Sequence, residues 1–441
     1  MHWAARLSIA ATLVFAPWAF GTTETWSIRT MEFLCVLSAL LVVAERVGAR
    51  EWSLRRGSIQ LLGVLLLLLV VVQLLNPVGV KVFVRDSVYE LVGGNLSLPH
   101  TIDPSATTES LLRWLCIFLF GFAVLHHVRT REDVLFLVRL LVINAALLSA
   151  EGILQNLSGV DRLLCFRRPR HGGMMFGPYV CRNNFASLAN LSLPLAIGIA
   201  YLPEMLPAKG DLSRTPQRLF WGFCAAVMMA AIVLTSSRMG VVVSLFVVGC
   251  MMLDVILRRK GSGGAFNMWA SLSVIAGMAL MVPFVGGAMK VWHRFVVTSP
   301  VETERLGVWE GVMDAIHASP NWGYGLGTFQ KLFPYYRPSD ITSYYRYAHS
   351  DWLEAYFDFG LFGFVLVVLF FGAILLTLAR ERIRRTSSFR RSVAAMVFVS
   401  LAGCLLHALV DFPLHIASVQ LTFVAIAAVG LASAYVTTTD T

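Results

Sequence analysis

The chain has 441 residues, 57% of them hydrophobic and only 14% charged, with a mean hydropathy of +0.70. An ordinary soluble domain is about 45–50% apolar and about 25% charged, so the composition excludes a soluble enzyme and points to a polytopic membrane protein. The formal net charge of +10 would suggest nucleic acid in a soluble protein, but in a membrane protein the placement of Lys and Arg matters more than their sum, and no nucleic-acid partner is expected.

Apolar runs long enough to cross a hydrocarbon core predict one all-α integral membrane domain over residues 1–441. Its helices are expected at 7–21, 30–47, 59–75, 111–128, 134–153, 184–203, 219–235, 239–257, 266–286, 360–379, 393–410 and 416–436. The first run resembles the apolar part of a signal peptide, yet Arg6 stands alone before it and no small-x-small cleavage site follows, so it reads as the first span.

Five basic segments orient these spans: 45–57, 126–133, 209–218, 257–260 and 380–391. In a twelve-span arrangement all five fall on one side, which the positive-inside rule assigns to the cytoplasm together with both termini. The other side then carries loops near 76–110, 155–183 and 287–359, with tight turns at Ser236–Arg238 and Asp411–His415. Loops this long are usually functional or disordered. The third is too aromatic for disorder and is expected to hold short helices packed on the membrane surface.

The 155–183 loop breaks the charge rule, with Arg162, Arg167, Arg168, Arg170 and Arg182 on the side that should be poor in them. Either those arginines face an anion, or they form a patch exposed to solvent or headgroups, or the topology differs there. Cys165 and Cys181 share this loop. In an oxidising compartment they would form a disulfide around the RRPRHGG segment; otherwise they are free thiols. The other five cysteines lie in apolar runs as small hydrophobes, and no Cys/His spacing resembles a zinc site, so no metal and no cofactor are expected.

The stretch YRYAHSDWLEAYFDFGLFG, residues 345–363, leads into an apolar run. On a helix at 100° per residue, His349, Trp352, Leu353, Tyr356 and Gly360 share one face, which places the histidine inward, while Asp351, Glu354 and Asp358 share the other. Such a histidine is either a packed structural residue or a base. Arg238, in TSSRMG, lies at a turn between two apolar runs, and Arg305 begins an amphipathic stretch of the third loop. Each is either a functional cation or an ordinary arginine that snorkels to headgroups or faces water. The glycine-rich NWGYGLGTF (321–329) reads as a tight turn, with phosphate binding by its amides the alternative. No D-x-D, H-E-x-x-H or G-x-S-x-G occurs, which leaves metal-hydrolase and serine-hydrolase chemistry without a motif.

CRNNFA (181–186), TSSRMG (235–240), RLGVW followed by P-x-x-G-x-G (305–325), A-H-S-x-x-L ending in G-x-x-G (348–363) and VDFPLH (410–415) occur in that order. Together they resemble the bacterial O-antigen ligases and the related O-antigen or exopolysaccharide polymerases and protein O-oligosaccharyltransferases, over residues from about 170 to 430. The resemblance implies a fold similar to the GT-C type of glycosyltransferase, in the bacterial inner membrane, with the active site facing the periplasm. It implies glycan transfer, without metal or nucleotide sugar, from an undecaprenyl-diphosphate carrier to a hydroxyl of a glycan, a lipid A-core or a protein. Arg238 and Arg305 would hold the donor pyrophosphate, with Arg182 an addition, and His349 would be catalytic, as base or as phosphate-binding cation. Tyr347, Trp352 and Tyr356 are candidates for a sugar groove. Where the family often has asparagine after the histidine, this chain has Ser350. The reading from another class is a lipid-linked oligosaccharide transporter or flippase, which would place ionisable residues deep in the spans. Here Arg139 and Asp254 are the nearest to such a lining, both close to span ends.

Overall fold

The computed structural model describes residues 1–51, 55, 57–83, 88–164, 167–168, 174–206, 211–258, 300–319, 321–341, 343–384 and 387–436. Its helices are α1 (His2–Trp18), α2 (Thr25–Gly48), α3 (Ser58–Leu75), α4 (Pro104–His127), α5 (Arg131–Ser158), α6 (Arg182–Tyr201), α7 (Asp211–Leu234) and α8 (Arg238–Arg258). They continue with α9 (Pro300–Ala318), α10 (Phe329–Tyr336), α11 (Asp351–Ile383), α12 (Ser388–His407) and α13 (Ala417–Ser433).

Among the described residues, 9 helices are long and apolar enough to cross a membrane. The 17-residue helices α1 and α13 complete the match to eleven of the twelve expected spans. The expected span at 266–286 lies outside the described residues.

Helix starts lie upstream of the apolar runs where a polar cap extends the first turn. In α4, Asp103 accepts from the amide of Ala106 at 3.2 Å and Pro104 follows at the first helical position, where its missing N–H costs nothing. In α11, Ser350 caps the amide of Leu353 at 3.3 Å. An apolar-run reading marks only the hydrocarbon-facing part of each helix, so these capped turns escape it.

The core is organised on α6, which is buried continuously from Asn184 to Tyr201 and packs on α5, α7, α8 and α12. Small residues permit the close approach: a Cβ on Gly198 would meet the Met396 sulfur at 1.8 Å, and one on Gly240 would meet the Ala186 Cβ at 2.7 Å. Buried polar groups add specific contacts, with the Asn190 amide donating to the Gly240 carbonyl at 2.9 Å. Large apolar side chains such as Leu61, Leu68, Phe223 and Leu245 are exposed on the outer surface of the bundle, as lipid-facing residues are.

The two ends of the bundle differ. At one end, Arg6 pairs with Asp133, Arg129 with Glu51 at 2.9 Å, and Arg258 and Arg382 with Asp254, the latter through Nε at 2.8 Å. Four of the five basic segments meet there, as the charge rule predicts; part of the fifth, 209–218, lies outside the described residues. At the opposite end, the turn before α2, the loop before α6 and the start of α13 meet: Tyr179 and the Gly21 carbonyl both bond Ser418, at 2.9 and 2.8 Å.

The long loops at this second end are more regular than expected. The 76–110 segment forms an antiparallel hairpin of β1 (Gly79–Phe83) and β2 (Val88–Val92), with Val80 opposite Leu91. Val80 and Leu91 pack on a cluster that includes Val308, Val312 and Phe333 of α9 and α10. The third loop holds the short helices α9 and α10, as the aromatic composition predicts.

Candidate active site

The stretch before α11 folds differently from the helical projection. His349 is not helical: its φ is +54, a left-handed conformation unusual for a residue with a Cβ and one that clusters at functional sites. Ser350 is the N-cap and Asp351 the first residue of α11. The acidic side of that helix is the deeply buried one, with Asp351, Glu354 and Asp358 exposed by 7%, 2% and 1%, while Trp352, Leu353 and Tyr356 are half-buried. The projection failed because the acids have partners that no single helix shows. His415 bridges the carboxylates of Asp351 and Glu354, the latter at 3.1 Å. Burial alone would lower the His415 pKa, but Glu354 and Asp351 hold it well above its usual value.

This network fixes the chain on both sides of His349. Glu354 accepts the Ala348 amide at 2.7 Å, and the Asp351 amide donates to the carbonyls of Ala408 and Asp411 at 3.0 and 3.1 Å. From α9, Trp309 donates its indole N–H to the Ala348 carbonyl at 3.0 Å. His349 is therefore held by its neighbours' backbone, with its own imidazole left for other work.

That imidazole sits between Phe412, whose ring centroid is 4.8 Å away, and Tyr345 at 5.6 Å, both edge-on. Its Nδ1 lies 3.9 Å from Oδ1 of Asp411 and makes no hydrogen bond among the described residues. Asp411 is itself oriented: Oδ2 accepts from the Asn183 side chain at 2.6 Å and Oδ1 from the Phe412 amide at 3.0 Å. Burial drives the His349 pKa down to about 4; Asp411 opposes this and the positive charge of Arg305 adds to it. The result is a neutral imidazole at neutral pH, facing a fixed carboxylate, with a cation nearby.

The residues expected to join His349 divide into two groups. Arg305, on α9, is brought close enough for its charge to act on His349, Cys181 and Tyr345. Tyr347 stacks on Phe412 at 4.7 Å, on the same ring that meets His349, and lies 5.1 Å from His415. Arg238 is the first residue of α8 at this end, and Arg182 the first of α6. Helix α6 links both to the site, through Asn183 to Asp411 and through Asn190 to the first turn of α8. Trp352 and Tyr356 turn elsewhere. The Trp352 indole donates to the Leu405 carbonyl at 3.1 Å and packs on Phe364 and Phe371, and Tyr356 stacks on Phe364 at 5.2 Å.

In the 321–329 segment the amides of Tyr324, Gly325, Leu326 and Gly327 donate to Phe357, Asp358, Gln73 and the Asp358 carboxylate. Those donors are consumed within the chain, so the segment is a turn docked on α11 and its amides are unavailable to phosphate. The expected Cys165–Cys181 pair falls on Cys165, a residue outside those described, while Cys181 lies half-buried at the start of α6. Burial, with Asp411 adding, pushes its pKa up to about 11. Of the loop arginines, Arg167 pairs with Glu24 at 2.8 Å and lies over the Phe20 ring; Arg170 lies outside the described residues.

Sequence reasoning singled out CRNNFA and VDFPLH as segments but assigned no role to Asn183, Asp411 or His415. It also passed over His407, whose Nδ1 meets the Ser187 hydroxyl at 2.8 Å while Nε2 is buried without a partner among the described residues. The available signal was a polar residue at the very end of an apolar run on the side poor in Lys and Arg.

Two cavities reach this end. One of about 440 Å³ is polar and is lined by Glu24, Arg29, Arg113, Arg346, Cys181 and Asn184 among others. The other, a cleft of about 450 Å³ between α3, α4, α11 and α13, is lined mainly by Leu, Phe and Val and ends at Asp351, Asp358, His415 and Arg113. Arg113 lines both.

A family model described as O-antigen ligase matches residues 223–368. The match contains Arg238, Arg305, Tyr347 and His349, and stops short of Asn183 and Asp411. No curated protein matches the chain.

Proposed function

A family model described as O-antigen ligase matches residues 223–368, and from that match we propose that the chain transfers a glycan from a polyprenyl-diphosphate carrier to an acceptor hydroxyl, with His349 as general base. The match supports a membrane glycan-transfer role. The carrier, the acceptor and the residue roles are our reading, carried by one observation: a buried, neutral imidazole facing the fixed carboxylate of Asp411, with Arg305 close by.

In this reading His349 directs Nδ1 at Asp411 and presents Nε2 to the acceptor. Nε2 takes the hydroxyl proton, the freed oxygen bonds the anomeric carbon, and the bond from that carbon to the diphosphate breaks with its electron pair leaving on the diphosphate oxygen. Asp411 holds the imidazole in the tautomer that leaves Nε2 as the acceptor and stabilises the imidazolium that forms. Arg305 and Arg238 meet the charge that develops on the leaving diphosphate, where guanidinium geometry suits phosphate oxygens. Arg182, at the start of α6, is a further candidate.

The apolar cleft, which ends at Asp351 and His415 beside this site, can hold the isoprenoid chain of such a donor. Tyr347 is the better-placed sugar contact of the three aromatic candidates. The positive-inside rule puts the basic end in the cytoplasm and this site at the periplasmic face of a bacterial inner membrane.

The test is transfer of a radiolabelled glycan from undecaprenyl diphosphate by purified protein, with acceptors offered in turn: lipid A-core, a second repeat unit, and a protein. Transfer by wild type that is lost in His349→Ala with donor binding retained supports the base role, and the labelled product separates ligase from polymerase. Loss of donor binding in His349→Ala would instead make the residue a phosphate ligand. Movement of labelled lipid across vesicles with no donor consumed would favour a flippase.

A further inference from the structure

We propose that His2, Glu45 and His127 form a binding site for a divalent transition-metal ion of the zinc class at the basic end of the bundle. The site lies at the end remote from His349 and does not rest on the reaction proposed above. It joins α1, α2 and the last residue of α4, three elements separated by 43 and 82 positions in the chain.

The geometry is close to what such an ion needs. One ligand atom from each of the three residues lies within 4.8 Å of the other two. Nδ1 of His2 is 3.0 Å from one Glu45 oxygen, and Nδ1 of His127 is 3.2 Å from the other. In a tetrahedral zinc site with bonds of about 2.0–2.1 Å, neighbouring ligand atoms stand roughly 3.3 Å apart, so an ion could enter with small side-chain shifts. The two imidazoles are stacked, centroids 4.6 Å apart and planes 20° from parallel, which turns both Nδ1 atoms toward the same carboxylate. Two imidazoles and a carboxylate are a borderline-soft set that suits zinc over calcium or magnesium.

The outer contacts favour the same reading. Nε2 of His2 lies 3.5 Å from Asp133, the arrangement in which a carboxylate orients a metal-binding imidazole through its far nitrogen. Asp133 is 1% exposed and held by the amides of Arg129 and Thr130 at 3.0 and 2.9 Å and by Arg6. Glu45 is 7% and His127 1% exposed, while the His2 side chain is 40% exposed and gives the ion a path from solvent.

One nearby cation competes for Glu45, since Arg129 Nη2 lies 3.4 Å from it. Its other nitrogen already pairs with Glu51 at 2.9 Å, so Arg129 has a partner to keep when an ion takes Glu45. Arg46 and Arg55 are engaged by carbonyls of residues 125, 126 and 128. The consequence of binding is a clip that fastens α1 to α2 and α4.

Purified full-length protein carrying a tag without histidines would be equilibrated with zinc sulfate, passed through gel filtration, and assayed for bound zinc and for thermal midpoint. Wild type is expected to retain one zinc per chain more than His2→Asn, and to gain several degrees with zinc where that variant gains none. The His2 side chain is 40% exposed at the first residue of α1, against 1% for His127, so His2→Asn is the variant to read if His127→Ala fails to fold. Arg129→Gln is expected to bind zinc at least threefold more tightly, because the competing cation is gone. Equal zinc in wild type and His2→Asn, or a weaker affinity in Arg129→Gln, would overturn the site and leave the cluster as a purely ionic knot.

Discussion

Nδ1 of His349 and Oδ1 of Asp411 stand 3.9 Å apart, although 62 residues separate them in the chain and they enter from different loops at one end of the bundle. The distance is long for a hydrogen bond, as such contacts often are before substrate binds. The carboxylate is already fixed by Asn183 and by the Phe412 amide, so tightening requires movement of the imidazole alone.

If Asp411 orients His349, Asp411→Asn should lower kcat by about 10²-fold or more with a small change in KM. Single-turnover transfer measures this directly. An unchanged kcat would remove Asp411 from the mechanism.

The pH dependence has a definite sign. His349 is held at about 4 against an ordinary value of 6.5, so the folded protein keeps it neutral while the unfolded chain takes up a proton below 6.5. Its contribution to stability is therefore complete above 6.5 and lost as pH falls toward 4. A base of this kind gives transfer that is flat across neutral pH and falls near pH 4. A required imidazolium would give rising activity in the same range.

Arg305→Gln removes a charge that lowers the His349 pKa, so the acidic limb of the pH profile should move upward. Asp411→Asn removes one that raises it, and should move the limb downward. Shifts in opposite directions in the two variants, read from kcat/KM profiles, would show that both residues act on one titrating group. If Arg305 meets the leaving diphosphate as proposed, Arg305→Gln should also cost about 10²–10³-fold in kcat/KM at neutral pH.

Gly360 has φ +64 and ψ −172, conformational space essentially confined to glycine, and a Cβ there would meet the backbone of Asn321 and Trp322 at 2.3 Å. Gly360→Ala should lower stability by at least ~2 kcal/mol, seen as a lower thermal midpoint in detergent. A midpoint equal to wild type would show that the 321–329 turn can withdraw from α11 at no cost.

The Cys181 thiol, pushed up to about 11, should react slowly with maleimide at pH 7.5 in folded protein and fast after denaturation. Denatured, non-reduced protein that takes up two fewer alkyl groups than reduced protein would instead indicate a Cys165–Cys181 bridge.

Much of the architecture was legible from composition alone, because a lipid-facing helix must be apolar over its whole crossing and its flanking Lys and Arg must stay on one side. Hence eleven of the twelve expected spans and the gathering of four basic segments at one end match the described helices, and short motifs named Arg305, His349 and Tyr347 as candidates. Local periodicity could not say which face of α11 is inside. The burial of Asp351, Glu354 and Asp358 depends on His415, on the Ala348 and Leu414 amides and on the 321–329 turn, partners contributed by three other segments. Only the tertiary structure could pair His349 with Asp411 and Asn183, or bring His2, Glu45 and His127 to one point. Side chains far apart in the chain meet through helix packing, and packing leaves no pattern in the spacing of the residues it joins.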